Sequence, residues 1–357
     1  MLLEGIFPPI TTCFYPDGRP YWRKLEHNVE RYSRTQISGL VVLGSTGEAV
    51  MLSDDESREV LRIAREAAAA EKVLIAGVGC ESVIETLRLA ERAADLNYDA
   101  IMVRTPHFYR GQMGELELIT FYQAVADRSA APVLLYSVPA YTAYELPVSV
   151  IGELSAHPNI IGMKDSGGGT ERVAEIVEAT RRRNKVTVTV TSTFTAVTGR
   201  MKKEASAGAQ FASTLIAASQ LEAGGTAAAT AQIEAATRPA WRTREVGFQL
   251  LNSRAQSLYD ALEAGATGSV SATAAFAPQA VHEIFTAWKD KDCALARDKE
   301  RRVATAENEI CKVMGVPGVK CALDWNGYFG GRPRMPLLPL TASRQGRVEE
   351  LLADLRN

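Results

Sequence analysis

The sequence predicts an α/β protein: a closed (β/α)8 TIM barrel with a C-terminal helical extension and an insertion before the seventh strand. Three observations carry this. Eight short apolar runs alternate with amphipathic helical runs along the 357 residues, as parallel strands joined by helical crossovers require. No GxGxxG follows the first run, which disfavours an open dinucleotide-binding sheet. After about residue 278 the pattern becomes purely helical.

The strand candidates, in order, are GIFPPITT, GLVVLGS, KVLIAGV, AIMVRTP, PVLLYSV, IIGMK, FQLLNS and GSVSA. Helices are expected between them over 24–35, 54–69, 82–96, 114–129, 148–157 and 171–183. In the second of these, Val60, Ile63, Ala64 and Ala67 follow the spacing of a one-sided helix. Ser53 stands before Asp54, Asp55 and Glu56, a capping hydroxyl with acid in the first turn. Two further helices are expected over 280–290 and 292–314, then a Pro/Gly-rich stretch, GVPGVKCALDWNGYFGGRPRMPLLPL, before the last helix.

Residues 185–247 break the rhythm. Their first part alternates Thr and Val, as a strand or hairpin arm does, and their second part is alanine-rich and reads as one or two helices. The segment contains no His, Cys, Asp or Tyr. In a barrel this connection lies on the N-terminal face, opposite the catalytic loops. It is therefore expected to serve packing or association, with disorder as the competing reading. The expected organisation is a catalytic barrel over 1–280, this insertion within it, and a helical region over 281–357.

Hydrophobic residues make up 46% and charged residues 23%, with a formal net charge of -2. That is an ordinary globular balance with no basic footprint for nucleic acid. The opening MLLEGIFPPITT lacks a charged leader before a long apolar run, and no stretch approaches a membrane span, so neither secretion nor membrane insertion is expected. Five scattered cysteines form no CxxC pair. They suggest reduced thiols in a cytoplasmic protein. No metal-ligand spacing appears, and no cofactor is expected.

Chemistry in such a barrel gathers where strands end. The second strand runs into Gly44-Ser45-Thr46-Gly47-Glu48, the fourth into Thr105-Pro106-His107-Phe108-Tyr109, and the fifth into Tyr136-Ser137-Val138-Pro139. The sixth ends in Lys164-Asp165-Ser166 and the seventh in Asn252-Ser253. Lysine is seldom fully buried without a task, and a desolvated amine becomes a nucleophile near neutral pH. Lys164 with a phenol and small hydroxyls suits imine chemistry on a ketone. Simpler readings stand beside this one. Lys164 snorkels outward or pairs with Asp165; Tyr136 packs its ring; GSTGE is a tight turn; His107 is a loop residue; Glu48 is a structural hydrogen-bond acceptor; Asp165 or Ser166 caps the sixth helix.

GSTGE, YSVP and GMKDSGG, at the ends of strands two, five and six, resemble the dihydrodipicolinate synthase / N-acetylneuraminate lyase superfamily of Schiff-base, pyruvate-dependent aldolases. The resemblance covers about 3–184 and 248–340. Within it, the motifs GCES at 79–82, YRGQM at 109–113, LLYSVPAYT, HPNIIGMKDSGG and GVPGVKCALDWNGYFGG are most similar to 4-hydroxy-2-oxoglutarate aldolase. The resemblance implies that Lys164 is the Schiff-base lysine, Tyr136 the proton-relaying tyrosine and Ser45 its hydroxyl partner. It implies that Thr46, with backbone of the same turn, holds the pyruvate carboxylate and that the Val270 carbonyl makes a backbone contact near the pyruvyl group; Ser166 is taken as a further substrate contact. It also implies a homo-oligomer, dimer or tetramer, with the 105–110 loop and helical tail as candidate interfaces.

Two departures matter. Tyr141 stands where the synthase pattern has an arginine that grips a substrate carboxylate, and Phe108 stands where a second relay tyrosine is common. The expected substrate is a small 2-oxo acid, and the expected reaction is retro-aldol cleavage of 4-hydroxy-2-oxoglutarate to pyruvate and glyoxylate. The alternatives are condensation of pyruvate with an aldehyde, as in 4-hydroxy-tetrahydrodipicolinate synthase, and a non-enzymatic sensor or scaffold that binds 2-oxo acids.

Overall fold

The computed structural model describes residues 1–190 and 242–355. Eight parallel strands form the barrel: β1 (Gly5–Ile6), β2 (Gly39–Val42), β3 (Val73–Gly77), β4 (Ala100–Arg104), β5 (Val133–Ser137), β6 (Ile160–Asp165), β9 (Gln249–Asn252) and β10 (Gly268–Ser269). Each lies within one of the eight apolar runs, except that β6 extends one residue past IIGMK to Asp165. The sheet closes after β1, where the Ile10 N–H donates to the Val41 carbonyl (3.0 Å) and the Val41 N–H to that of Pro8 (3.0 Å).

Alternation along the strands sorts the apolar residues into two layers. Phe7, Val41, Ile75, Ala100, Met102, Leu134, Tyr136, Leu251 and Val270 pack inside the ring. Leu40, Val42, Leu74, Ile101, Val103, Leu135 and Met163 face outward against the helices. A barrel of this size is a packed core, so only its mouth is open to chemistry.

The expected helices form: α1 (Trp22–Ser33), α2 (Asp54–Ala67), α3 (Val83–Asp95), α4 (Glu115–Arg128), α6 (Val148–Leu154) and α7 (Thr170–Thr180), with the one-turn α5 (Pro139–Thr142) added after β5. Ser53 caps α2 in a reciprocal box: its Oγ accepts from the Glu56 N–H (3.2 Å) and Glu56 Oε2 accepts from the Ser53 N–H (2.9 Å). The cap expected for the sixth helix differs. Gly169 occupies the cap of α7 with no side-chain bond. The Asp165 oxygens turn instead to the Arg172 Nε (3.2 Å) and the Gly167 N–H (3.3 Å).

The C-terminal region departs from expectation in two places. The helix foreseen over 292–314 runs as Cys293–Ala306 and then widens into a π-helical stretch, Glu307–Val313. The Pro/Gly-rich stretch from Gly315 opens with a further helix, Gly315–Trp325. Pro317 falls in its first turn, where a missing N–H costs nothing.

Of the insertion, only the arms are described. β7 (Val186–Val190) pairs antiparallel with β8 (Arg242–Val246). Arg244 in β8 forms an ion pair with Glu4, which also meets Lys289 Nζ at 2.6 Å. Glu4 precedes β1, so the hairpin stem sits where the barrel strands begin. The alanine-rich part expected to be helical lies outside the described residues.

Two carboxylates brace the segment after β9. Glu300 Oε1 accepts from the Tyr259 N–H (2.6 Å) and Glu307 Oε2 from the Gln256 N–H (2.9 Å). Burial raises the Glu300 pKa from 4.5 to about 7, against the stabilising Tyr259 N–H. A carboxyl whose folded pKa exceeds its unfolded value binds more protons when folded, so stability falls as pH rises between the two. The Glu300 contribution to unfolding free energy is expected to decline from pH 4.5 to about 7, so Glu300→Gln is expected to gain stability relative to the parent protein as pH rises through that window, as measured by urea denaturation of both proteins across the pH series.

Candidate active site

Neighbouring strands place the predicted side chains side by side. Tyr136 pairs in register with Lys164, and Arg104 with Tyr136. Lys164 lies on the inward face of β6 and is 5% exposed; Tyr136 is 4% exposed. The Lys164 Nζ donates to the Tyr136 Oη at 3.2 Å and stands 4.3 Å from the centre of its ring. Ser45 Oγ approaches the same Oη at 3.2 Å. Amine, phenol and hydroxyl thus form one hydrogen-bonded row across the mouth. Lys164 does not snorkel outward, and Asp165 does not pair with it, because Asp165 points to the opposite face toward Arg172. Burial raises the Asp165 pKa, and Arg172 partly offsets this.

Ser45 and Thr46 lie in a single 3-10 turn, Ser45–Gly47, directly after β2. The Thr12 hydroxyl donates to the Gly47 carbonyl (2.7 Å) and holds the turn from the first strand. Glu48 closes it in the left-handed region, at φ 56°. Its carboxylate is buried and meets Lys320 Nζ at 2.5 Å, with both side chains inaccessible to solvent. It also accepts from the Arg334 N–H (2.8 Å). Lys320 and Arg334 stand over the Phe14 ring, at 4.4 and 4.6 Å. Burial lowers the Lys320 pKa, against the pull of Glu48. Glu48 is therefore the structural acceptor foreseen from the sequence, and it ties the turn to the helix Gly315–Trp325.

Thr46 is half-buried beside Ser45. Val270 is 1% exposed in the inner layer, and its N–H donates to the Asn252 carbonyl (2.8 Å); the contact expected of it calls on the carbonyl. Ser166 is half-buried at the end of β6, and its N–H is used by the Ser137 carbonyl (2.9 Å). Phe108 and Tyr109 are 73% and 62% exposed and pack edge to face at 5.1 Å on the loop after β4. A surface hollow lined by Arg58, Arg88, Glu91, Arg92 and Asp95 lies on the outer helices, and none of the row belongs to it.

Two groups at the mouth escaped the sequence reading. Arg104 ends β4 with the same parity as the inward Ala100 and Met102. Glu81, in the loop after β3, accepts from Arg104 Nη1 (2.9 Å) and from the N–H groups of His107 and Phe108 (2.9 Å each). The usable signal was the alternation in AIMVR, which places an arginine at a core position.

The profile of the Dihydrodipicolinate synthetase family matches residues 2–188 and 222–355. The chain belongs to that family. It is 27% identical over 354 residues to 4-hydroxy-tetrahydrodipicolinate synthase of Methanothrix thermoacetophila, covering 99% of this chain and 97% of the relative. It is 29% identical over 364 residues to the enzyme of the same name from Xanthomonas axonopodis pv. citri, covering 99% and 95%. Among solved structures, YagE of E. coli K12, a dihydrodipicolinic acid synthase family protein in complex with pyruvate, superposes with a TM-score of 0.75 at 22% identity, covering 99% of each chain. This family member is an enzyme, a lyase of the lysine Schiff-base class.

Two substitutions probe the geometry. Tyr136→Phe removes the phenol between amine and hydroxyl. It is expected to slow imine formation by roughly 10²- to 10⁴-fold, read as the rate of borohydride trapping of pyruvate, with the unfolding midpoint retained. Lys320→Met leaves the buried Glu48 carboxylate without its counter-charge. A loss of about 3–5 kcal/mol in urea-derived stability is expected, with much of it regained in Glu48→Gln/Lys320→Met.

Proposed function

We propose that Lys164 forms a Schiff base with the C2 ketone of a 2-oxo acid and that the enzyme cleaves 4-hydroxy-2-oxoglutarate to pyruvate and glyoxylate. The hydrogen-bonded row Ser45–Tyr136–Lys164 carries this reading. The amine attacks C2, and the carbinolamine loses water with Tyr136 moving the protons. Tyr136 then accepts the proton of the C4 hydroxyl. The C3–C4 electron pair flows into the iminium, glyoxylate departs, and an enamine remains on Lys164. Protonation at C3 and hydrolysis release pyruvate and restore the amine. In this reading the substrate carboxylate rests on the Ser45–Thr46 turn, with the Val270 carbonyl and Ser166 bordering the pyruvyl group.

Condensation of pyruvate with an aldehyde, of the 4-hydroxy-tetrahydrodipicolinate synthase type, is the second reading. Its support is that relatives matched over nearly the whole chain carry that name. The uncharged Tyr141, 62% exposed at the mouth, weighs toward cleavage. The exposed Phe108–Tyr109 pair supports association of copies through the loop after β4.

Incubation with pyruvate and borohydride is expected to leave a reduced adduct at Lys164, located by peptide mass spectrometry. Lys164→Ala is expected to lose both adduct and turnover while keeping its unfolding midpoint; substantial turnover in that variant defeats the assignment. Initial rates with 4-hydroxy-2-oxoglutarate, set against pyruvate plus an aldehyde, separate the two reactions.

A further inference from the structure

We infer that Arg104 receives the second carboxylate of a dicarboxylic 2-oxo acid and so sets the substrate class of this site. The inference rests on the reading of Lys164 as the imine-forming amine.

β4 alternates its side chains, and Ala100 and Met102 lie in the inner layer, so Arg104 has inward parity at the top of the strand. The register runs Arg104, Tyr136, Lys164 across three adjacent strands. Arg104 thus stands two strand spacings, about 10 Å, from the lysine at the backbone. Side chains leaving those two positions flank Tyr136 on either side.

The surrounding residues are built to admit the guanidinium. A Cβ on Gly79 would lie 2.4 Å from the Arg104 N and 2.8 Å from its Cγ. Only a bare backbone there lets the loop after β3 lie this close to the Arg104 backbone and the root of its side chain. That glycine begins the GCES motif, whose glutamate orients the arginine. Glu81 Oε1 meets Arg104 Nη1 at 2.9 Å and His107 Nδ1 at 2.6 Å, while Oε2 takes two backbone N–H groups. Burial works to raise the Glu81 pKa, but the Phe108 N–H, Arg104 and the His107 N–H outweigh it and hold the carboxyl below its usual value. The brace is therefore anionic at neutral pH.

The remaining donors point to a ligand. Among the described residues, the side-chain hydrogen bonds of Arg104 all run through Nη1. A guanidinium presents five N–H donors in a planar fork that matches a carboxylate in two-point contact. The side chain is 17% exposed, desolvated enough for such a contact to discriminate. In the row of Arg104, Tyr136, Lys164 and Leu251, the cations are Arg104 and Lys164. Once Lys164 is bound to C2 as an iminium, its charge is fixed at that carbon, and Arg104 is the second cation of the row, placed to meet a distal anion.

The test compares borohydride trapping at Lys164 of 2-oxoglutarate and 2-oxopentanoate, equal in length and differing in the distal carboxylate, with pyruvate as reference. The wild-type enzyme is expected to half-saturate with 2-oxoglutarate at a roughly 10- to 100-fold lower concentration than with 2-oxopentanoate. Arg104→Leu is expected to bring that ratio close to one, and Arg104→Lys to keep part of it. A wild-type ratio near one, or a ratio that survives Arg104→Leu, overturns the inference while the adducts leave Lys164 chemistry standing. Equal losses for all three acids in every Arg104 variant mark a purely structural arginine and also overturn it. Failure of any 2-oxo acid to label wild-type Lys164 overturns the imine reading itself.

Discussion

The parallel pairing of β5 with β6 brings a phenol against an amine in a place closed to water, and the mouth of the barrel is organised around that contact. The register sets Tyr136 opposite Lys164, and alternation turns both inward. A one-residue slip would send both to the helical layer and put Leu135 and Met163 in their place. Closure of the ring and the packed layer of Leu134, Met102 and Leu251 beneath keep this register from sliding. The nitrogen is thereby held within hydrogen-bond reach of a phenol, the geometry that the proposed general acid–base assistance to imine formation requires.

A second constraint acts at a distance. The hydroxyl end of the row depends on a turn whose last residue, Glu48, adopts a backbone conformation unfavourable for a side-chain-bearing residue. Lys320, Arg334 and Phe14 hold it there. Arg334 further grips both Glu56 oxygens at 2.6 Å, linking the capping box of α2 to the same cluster. The C-terminal region is thus part of the support of that turn, although it supplies no side chain to the Ser45–Tyr136–Lys164 row. Buried charge serves here to fix a location, since an ion pair without solvent tolerates little displacement of either partner.

Much of this was legible in the sequence, for physical reasons. Each barrel strand is an apolar run ended by turn residues, so the strands and their order could be read directly. Lys164, Tyr136 and Ser45 stand at strand ends, where the fold itself brings separate parts of the chain together. Other features were hidden. Gly315 and Pro317 masked a helix because both residues usually interrupt one, yet at its first turn neither does. Arg104 passed as the polar edge of a strand, since its inward parity matters only once β4 is known to end level with Tyr136. The Glu48–Lys320 pair joins residues with no local signal in common, and Lys320 falls in the Pro/Gly-rich stretch where no helix was expected.

The hairpin stem has a consequence for how such a barrel accommodates extra chain. Val186 and Val246 face each other across an antiparallel pair, so the polypeptide departs and returns through points about 5 Å apart. That gap is small enough to be bridged by a short turn. The stem is also fastened at the end of the barrel from which Arg104, Tyr136 and Lys164 point away. Chain carried between these two arms need not enter the register of β6 with β9, which makes this junction a natural port for grafting or excising a module.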